Sequence, residues 1–263
     1  MIKRELKVNF KGFCVWAAVS IILFLVVFLI YPSIMSGTEA DKINELMKLF
    51  PEEILKAFNM DISSIDSAYG WLKSEGFVFV LLIVGCYSGL LGGSILLKEE
   101  NDKTIEYLST LPITRNKIVI SKCIVGLIYI VGLTLVIGVF NLIGLLVSCE
   151  FDIIQYLLLS LTPLFPSIVI FFLCMLLSTL THKLRKMQGV SLAVVLGSYV
   201  LNTLSSLSDN VEFIKYFSVF TLADTRNVIM NVSINPIMII ISLVISVLLF
   251  YVIILRYNKK ELI

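Results

Sequence analysis

A chain of 263 residues that is 58% hydrophobic and only 15% charged, with a mean hydropathy of +0.98, carries more apolar surface than one water-soluble core can hide. Most of that surface must face lipid, which excludes a soluble globular domain and points to an all-α protein that crosses a bilayer several times. The formal net charge of +2 follows from the uneven placement of Lys and Arg described below, so it calls for no nucleic-acid partner.

A helix crossing a hydrocarbon core of about 30 Å needs roughly 20 apolar residues. Six stretches qualify, 13–31, 77–97, 123–147, 163–180, 189–207 and 237–255, and they make one transmembrane domain over 1–263. Ahead of the first, residues 2–10 mix Lys3, Arg4 and Lys7 with Leu6, Val8 and Phe10, a pattern suited to a helix lying flat at the headgroups before the chain turns inward. The apolar run that follows is longer than the core of a signal peptide, so it reads as an uncleaved first helix. An outer loop over 32–76 comes next. In it Ile43, Leu46, Met47 and Phe50, then Ile54, Leu55 and Phe58, recur near helical spacing on either side of Pro51, which predicts two short amphipathic helices that either gate the outer face or cap the bundle.

The second span carries Gly85, Gly89 and Gly93 four residues apart. Small residues at this spacing let helix backbones approach closely in lipid, either to pass movement along or simply to pack within the subunit. The fourth span opens with Pro163 and Pro166, so residues 153–160 either lie at the interface or form the first part of a broken helix.

Six spans put both ends of the sequence on one side. Lys3, Arg4, Lys7, Lys11, Lys98, Lys103, Arg115, Lys117, Lys122, Lys183, Arg185, Lys186, Arg256, Lys259 and Lys260 flank the spans on that side. Only Lys42, Lys48, Lys56, Lys73, Lys215 and Arg226 fall on the other. The positive-inside rule then predicts that the N and C termini and the loop between spans 2 and 3 are cytoplasmic.

No Asp, Glu, Lys, Arg or His lies within the six stretches, which disfavours an ion-coupled carrier or an intramembrane hydrolase. The lone histidine, His182, reads as a solvated loop residue. The five cysteines lack ligand or redox spacing, so no metal site is expected. No catalytic residue is assigned. No GxxxxGK[ST] phosphate loop occurs, so energy for uphill transport must come from another polypeptide.

Residues 97–122 form a charged, helix-prone island between two apolar spans. Thr104 suits a helix N-cap, Glu106 sits in the first turn, and Pro112 ends the helix. Ile105, Leu108 and Leu111 give it an apolar ridge that wants a partner or the membrane surface. Thr114 suits the cap of the next helix, whose Arg115, Lys117 and Lys122 are expected at the headgroups.

Glu99-Glu100, Thr104, Glu106, Leu108, the run Leu111-Pro112-Ile113-Thr114-Arg115, and Lys122 resemble the first cytoplasmic loop of type-2 ABC transporter permeases. The run from Phe50 to Phe58 is similar to an outer amphipathic helix of bacitracin-resistance and nitrous-oxide-reductase-maturation permeases. Residues 177–181, reading LSTLT, and 216–224, reading YFSVFTLAD, resemble the family's second cytoplasmic loop and its last outer segment. The resemblance implies a membrane-spanning permease subunit of an ATP-driven exporter in a bacterial plasma membrane. Two such permeases, identical or related, would form the pathway, and separate cytoplasmic ABC ATPase subunits would bind ATP and Mg, with no cofactor on this chain. The helix from Thr104 to Leu111 would be the coupling helix, with Glu99 and Glu100 at its entrance and Arg115 anchoring its exit to acids or headgroups. The other classes open to the sequence are a secondary carrier or channel without an ATPase and a non-transporting membrane scaffold or sensor subunit. The cargo is not legible.

Overall fold

The computed structural model describes residues 1–35, 67–102, 114–205 and 209–260. Every regular element among them is helical, as expected where backbone polar groups meet hydrocarbon and must find partners within their own segment. Helix α1 is Ile2–Met35. Helix α2, Ala68–Trp71, runs through a π-helical turn at Leu72–Gly76 into α3, Phe77–Ile95, and the one-turn α4, Lys98–Asn101, follows. Helix α5 is Arg115–Ser148, α6 is Ile153–Leu161, α7 is Leu164–Ser178 and α8 is Leu184–Ser205. Two 3-10 segments, Asp209–Phe217 and Val219–Ala223, and the short α9, Thr225–Asn231, lead to α10, Pro236–Lys259.

Among the described residues six helical stretches are long and apolar enough to cross a membrane: Ile2–Ile30, Ala68–Ile95, Arg115–Ser148, Ile153–Ser178, Leu184–Ser205 and Pro236–Lys259. The fourth is the broken helix, with α6 and α7 divided at Thr162 and Pro163.

Several boundaries depart from the sequence reading for one physical reason: N-caps and helix propensity carry a helix beyond the limit of its apolar run. Ser67 accepts from the Gly70 N–H at 3.0 Å, so the second span begins at Ala68 and takes in Lys73 and Glu75 from the expected outer loop. Thr114 caps α5, so the third begins at Arg115 and contains Lys117 and Lys122. Helix α1 passes Phe10 without a turn, so residues 2–10 continue the first span. Ionisable groups are therefore part of the spanning helices in their end turns. The amphipathic segments expected at 43–58 lie outside the described residues.

In the second and fourth spans 56% of the most apolar window is buried inside the chain, against 11%, 22% and 17% in the first, fifth and sixth. The second and fourth are thus the central pair, with α5 on one flank. Their close approach rests on glycine: a Cβ at Gly92 would run into the Phe171 carbonyl of α7, and one at Gly126 of α5 into the Phe171 ring. Gly85, Gly89 and Gly93 face elsewhere. Added Cβ atoms there would press on Phe220 and on Val195, Ser191 and Met187 of α8, so the stripe packs the second span against the fifth within one subunit. The outer helices leave Leu29, Leu146, Val247 and Leu248 between 59% and 68% exposed, surface that a soluble protein would have to cover.

Gly92→Ala is expected to lower the detergent thermal-unfolding temperature, because a backbone oxygen cannot yield and overpacking costs about 1–3 kcal/mol. Gly197→Ala, where nothing lies within 4 Å, is expected to hold or raise it through helix propensity. Thermal denaturation of the two variants side by side checks the pair.

Candidate functional site

Five segments meet at one end of the bundle: the first turns of α1, the end of α3 with α4, the first two turns of α5, the α7–α8 connection and the last turn of α10. Two buried ionic clusters hold them together.

The first cluster centres on Lys122, which is 0% exposed. It sits two turns into α5, so the cap at Thr114 sets its depth. Its ammonium lies 2.6 and 2.7 Å from the Glu99 oxygens and 2.6 Å from the Ile95 carbonyl at the end of α3. Glu5 of α1 stands 3.4 Å away. Glu99 and Glu5 are also buried, at 6% and 3% exposure. An ammonium has three protons to donate, and these three groups accept them. Two carboxylates against one ammonium give the desolvated cation charge-assisted partners, which burial of such a group demands. Beside them the Tyr129 hydroxyl of α5 donates to the Leu6 carbonyl of α1.

The second cluster is built on the neighbouring residue. Glu100 accepts from Lys260 Nζ at 2.7 Å through one oxygen and meets His182 Nδ1 at 2.9 Å through the other. A carboxylate only accepts, so the proton of that contact is assigned to Nδ1. Lys260 Nζ also donates to the Thr181 carbonyl at 3.0 Å. Glu100 and Lys260 are buried, while the His182 side chain is 47% exposed.

Arg115 closes the site. Its Nη1 lies 2.8 Å from the Lys260 carbonyl, 3.0 Å from that of Asn258 and 3.3 Å from that of Tyr257. These carbonyls lie in the last turn and C-cap of α10, where that of Tyr257 also accepts from the Lys260 N–H at 3.3 Å, and a guanidinium there suits the negative end of the helix dipole. Asn258 donates to Asn116 at 2.8 Å beside it.

Of the residues singled out in the sequence, Glu99, Glu100, Thr114 and Arg115 come together here. Thr104, Ile105, Glu106, Leu108, Leu111 and Pro112 lie outside the described residues. One expectation is corrected: Lys122 is enclosed by acids instead of reaching the headgroups. Glu99 and Glu100, which precede segment 103–113, are buried and paired inside the bundle. Arg115, which follows it, bonds backbone carbonyls at the end of α10. His182 lies in a loop with its side chain 47% exposed, as expected, and also meets Glu100. Sequence reasoning gives Glu5 no role and counts Lys260 only as a flanking charge. The available signal was depth: Lys122 stands five residues beyond Lys117 within an apolar run, too far in for every neighbour to be water.

Among the described residues no group of three or more His, Cys, Asp or Glu converges as a metal site, and Cys14, Cys86, Cys123, Cys149 and Cys174 are free thiols. The arrangement offers fixed charge and mechanical connection, with no nucleophile and base set against each other.

Removing one partner of a buried pair leaves the others uncompensated, at a cost of about 3–5 kcal/mol. Lys122→Met is therefore expected to lower thermal stability sharply, and adding Glu99→Gln to recover part of the loss. Differential scanning fluorimetry in one detergent measures both; equal stability of Lys122→Met and wild type would show that the cluster contributes little.

The chain matches no curated protein. Residues 1–262 match the family model described as ABC-2 family transporter protein. With six helices of membrane-spanning length and composition and a match over nearly its whole length, the chain belongs to the ABC-2 transporter family and is a multi-pass membrane permease component of an ABC transporter.

Proposed function

We propose that this permease is the membrane half of an ATP-driven exporter, and that residues 104–111 are the coupling helix through which a separate ATPase drives it. The observation that carries this reading is the anchoring of both flanks of that helix. Glu99 before it is tied to Lys122 of α5, which in turn meets Glu5 of α1, and Glu100 is tied to the α7–α8 connection and the end of α10. Arg115 after it is tied to the end of α10. A displacement of residues 104–111 is thereby delivered into several spans at once.

The bundle end that carries these flanks also carries fourteen of the seventeen Lys and Arg among the described residues, which supports a cytoplasmic location in a bacterial plasma membrane. The apolar ridge of Ile105, Leu108 and Leu111 would seat in a cleft of the ATPase, with Thr104 capping the helix and Pro112 ending it. ATP and Mg would reside on that partner, since this chain has no phosphate loop. A second permease copy, identical or related, would complete the pathway.

Leu108→Ser or Glu106→Pro is expected to abolish the stimulation of ATP hydrolysis in the complex while leaving the permease folded and inserted. Undiminished stimulation would sink the coupling role. Transport in vesicles free of any ATPase, driven by an ion gradient, would replace it with a secondary carrier. A cysteine placed at Lys103 is expected to react with an impermeant maleimide only after the membrane is opened, which checks the sidedness.

A further inference from the structure

Glu100 and Arg115 bracket the segment 103–113, and one residue touches both. The Lys260 ammonium is 2.7 Å from Glu100, and its main-chain carbonyl accepts from Arg115 at 2.8 Å. We propose that Lys260 is a positioning residue that staples the two ends of the coupling segment together and so presets its geometry for the ATPase. This rests on the reading of residues 104–111 as the coupling helix.

The physical case has three parts. First, the ion pair is shielded from water: Lys260 is 9% exposed and Glu100 is 8% exposed, so it is not the screened surface kind that contributes next to nothing, while the Arg115 contact is half-buried. Second, the staple has its own foundation. Tyr257, one turn back in α10, is 1% exposed, Asn258 bonds Asn116, and the Lys260 ammonium holds the Thr181 carbonyl. Third, fixing both ends of a segment on one residue removes in advance the freedom that binding would otherwise have to remove, and preorganisation of this kind acts chiefly on affinity. A segment with one loose end still binds, at higher partner concentration.

The two contacts are separable, because the Arg115 bond goes to a backbone carbonyl that any residue at 260 provides. Lys260→Met thus frees only the Glu100 end. Glu100 keeps His182, which is partly in water, so the fold is expected to survive the change.

The test uses the complex of the full-length chain, tagged at its N terminus, with the ATPase that copurifies with it from its native membrane. The ATPase is stripped and titrated back onto permease in nanodiscs. Lys260→Met and Glu100→Gln are each expected to raise the ATPase concentration for half-maximal stimulation about tenfold, a shift worth about 1.4 kcal/mol, with the maximum kept. Lys260→Arg is expected to stay within about twofold of wild type, and the exchange Glu100→Lys with Lys260→Glu to recover part of the loss. Spin labels at positions 102 and 117, read by double electron resonance in the permease alone, are expected to give a broader distance distribution in Lys260→Met.

A half-maximal concentration unchanged in both Lys260→Met and Glu100→Gln overturns the staple, as does a fall in maximal stimulation that tracks thermal unfolding. Leu108→Ser in the same titration separates the two ideas. If it abolishes stimulation while Lys260→Met behaves as wild type, the staple alone is wrong. If Leu108→Ser is as effective as wild type, the coupling reading falls and the staple with it.

Discussion

The base of this bundle is organised around one ammonium group that never meets water. Moving a lysine cation out of water costs several kcal/mol even after relaxation, so Lys122 is tolerable only where carboxylates come to it. Glu99 arrives from α4 and Glu5 from α1, and the Ile95 carbonyl at the end of α3 supplies the third acceptor. Three spans are thereby fixed in depth relative to one another, since sliding α5 by a single turn would strand the charge. Close approach of the backbones makes the arrangement possible, with Gly92 and Gly126 admitting Phe171 between α3 and α5.

The neighbouring pair of acids divides its work by helix geometry. Glu99 and Glu100 lie in the one-turn helix α4, and successive helical residues point about 100° apart. Glu99 accordingly turns into the bundle toward Lys122, and Glu100 turns toward His182 and Lys260. Two consecutive carboxylates on a solvated helix would repel and favour separation; here each is neutralised by a cation from a different element. The short helix becomes a junction linking α1, α5, the α7–α8 connection and the end of α10.

The sequence made the six spans legible because an apolar run of bilayer length has few other uses, and the family motif was legible in the order of residues from Glu99 to Lys122. The Thr114 cap was legible too, since its hydroxyl and the helix after it are both local. What escaped were contacts between charges far apart in the chain. Lys122 meets Glu5 over 117 positions and Lys260 meets Glu100 over 160, and hydropathy carries no information on such pairing. Hydropathy assigns charges flanking apolar runs to water and headgroups by default, and so names no interior partner for His182 or Lys260. The stripe of Gly85, Gly89 and Gly93 was visible as a stripe, but what it faces, Phe220 and α8, while Gly92 beside it faces the backbone of α7, depends on how three helices cross.

Cross-linked charge at one end has a consequence for how the subunit changes shape. Opening either cluster costs several kcal/mol because a buried ion loses its partner, whereas moving α4, the start of α5 and the end of α10 together leaves every pair intact. The least costly response to force at this end is a rigid displacement of the whole base. The helical irregularities lie away from it: the π turn at Leu72–Gly76 opens the second span, and the break at Thr162 and Pro163 divides the fourth. Interrupted helices bend at such points more readily than along an unbroken ladder of hydrogen bonds. A stiff base joined to central spans that are interrupted toward their other ends is an arrangement suited to carrying a local push to the far side of the bundle, the mechanical property a permease would need if its energy were supplied from outside its own chain.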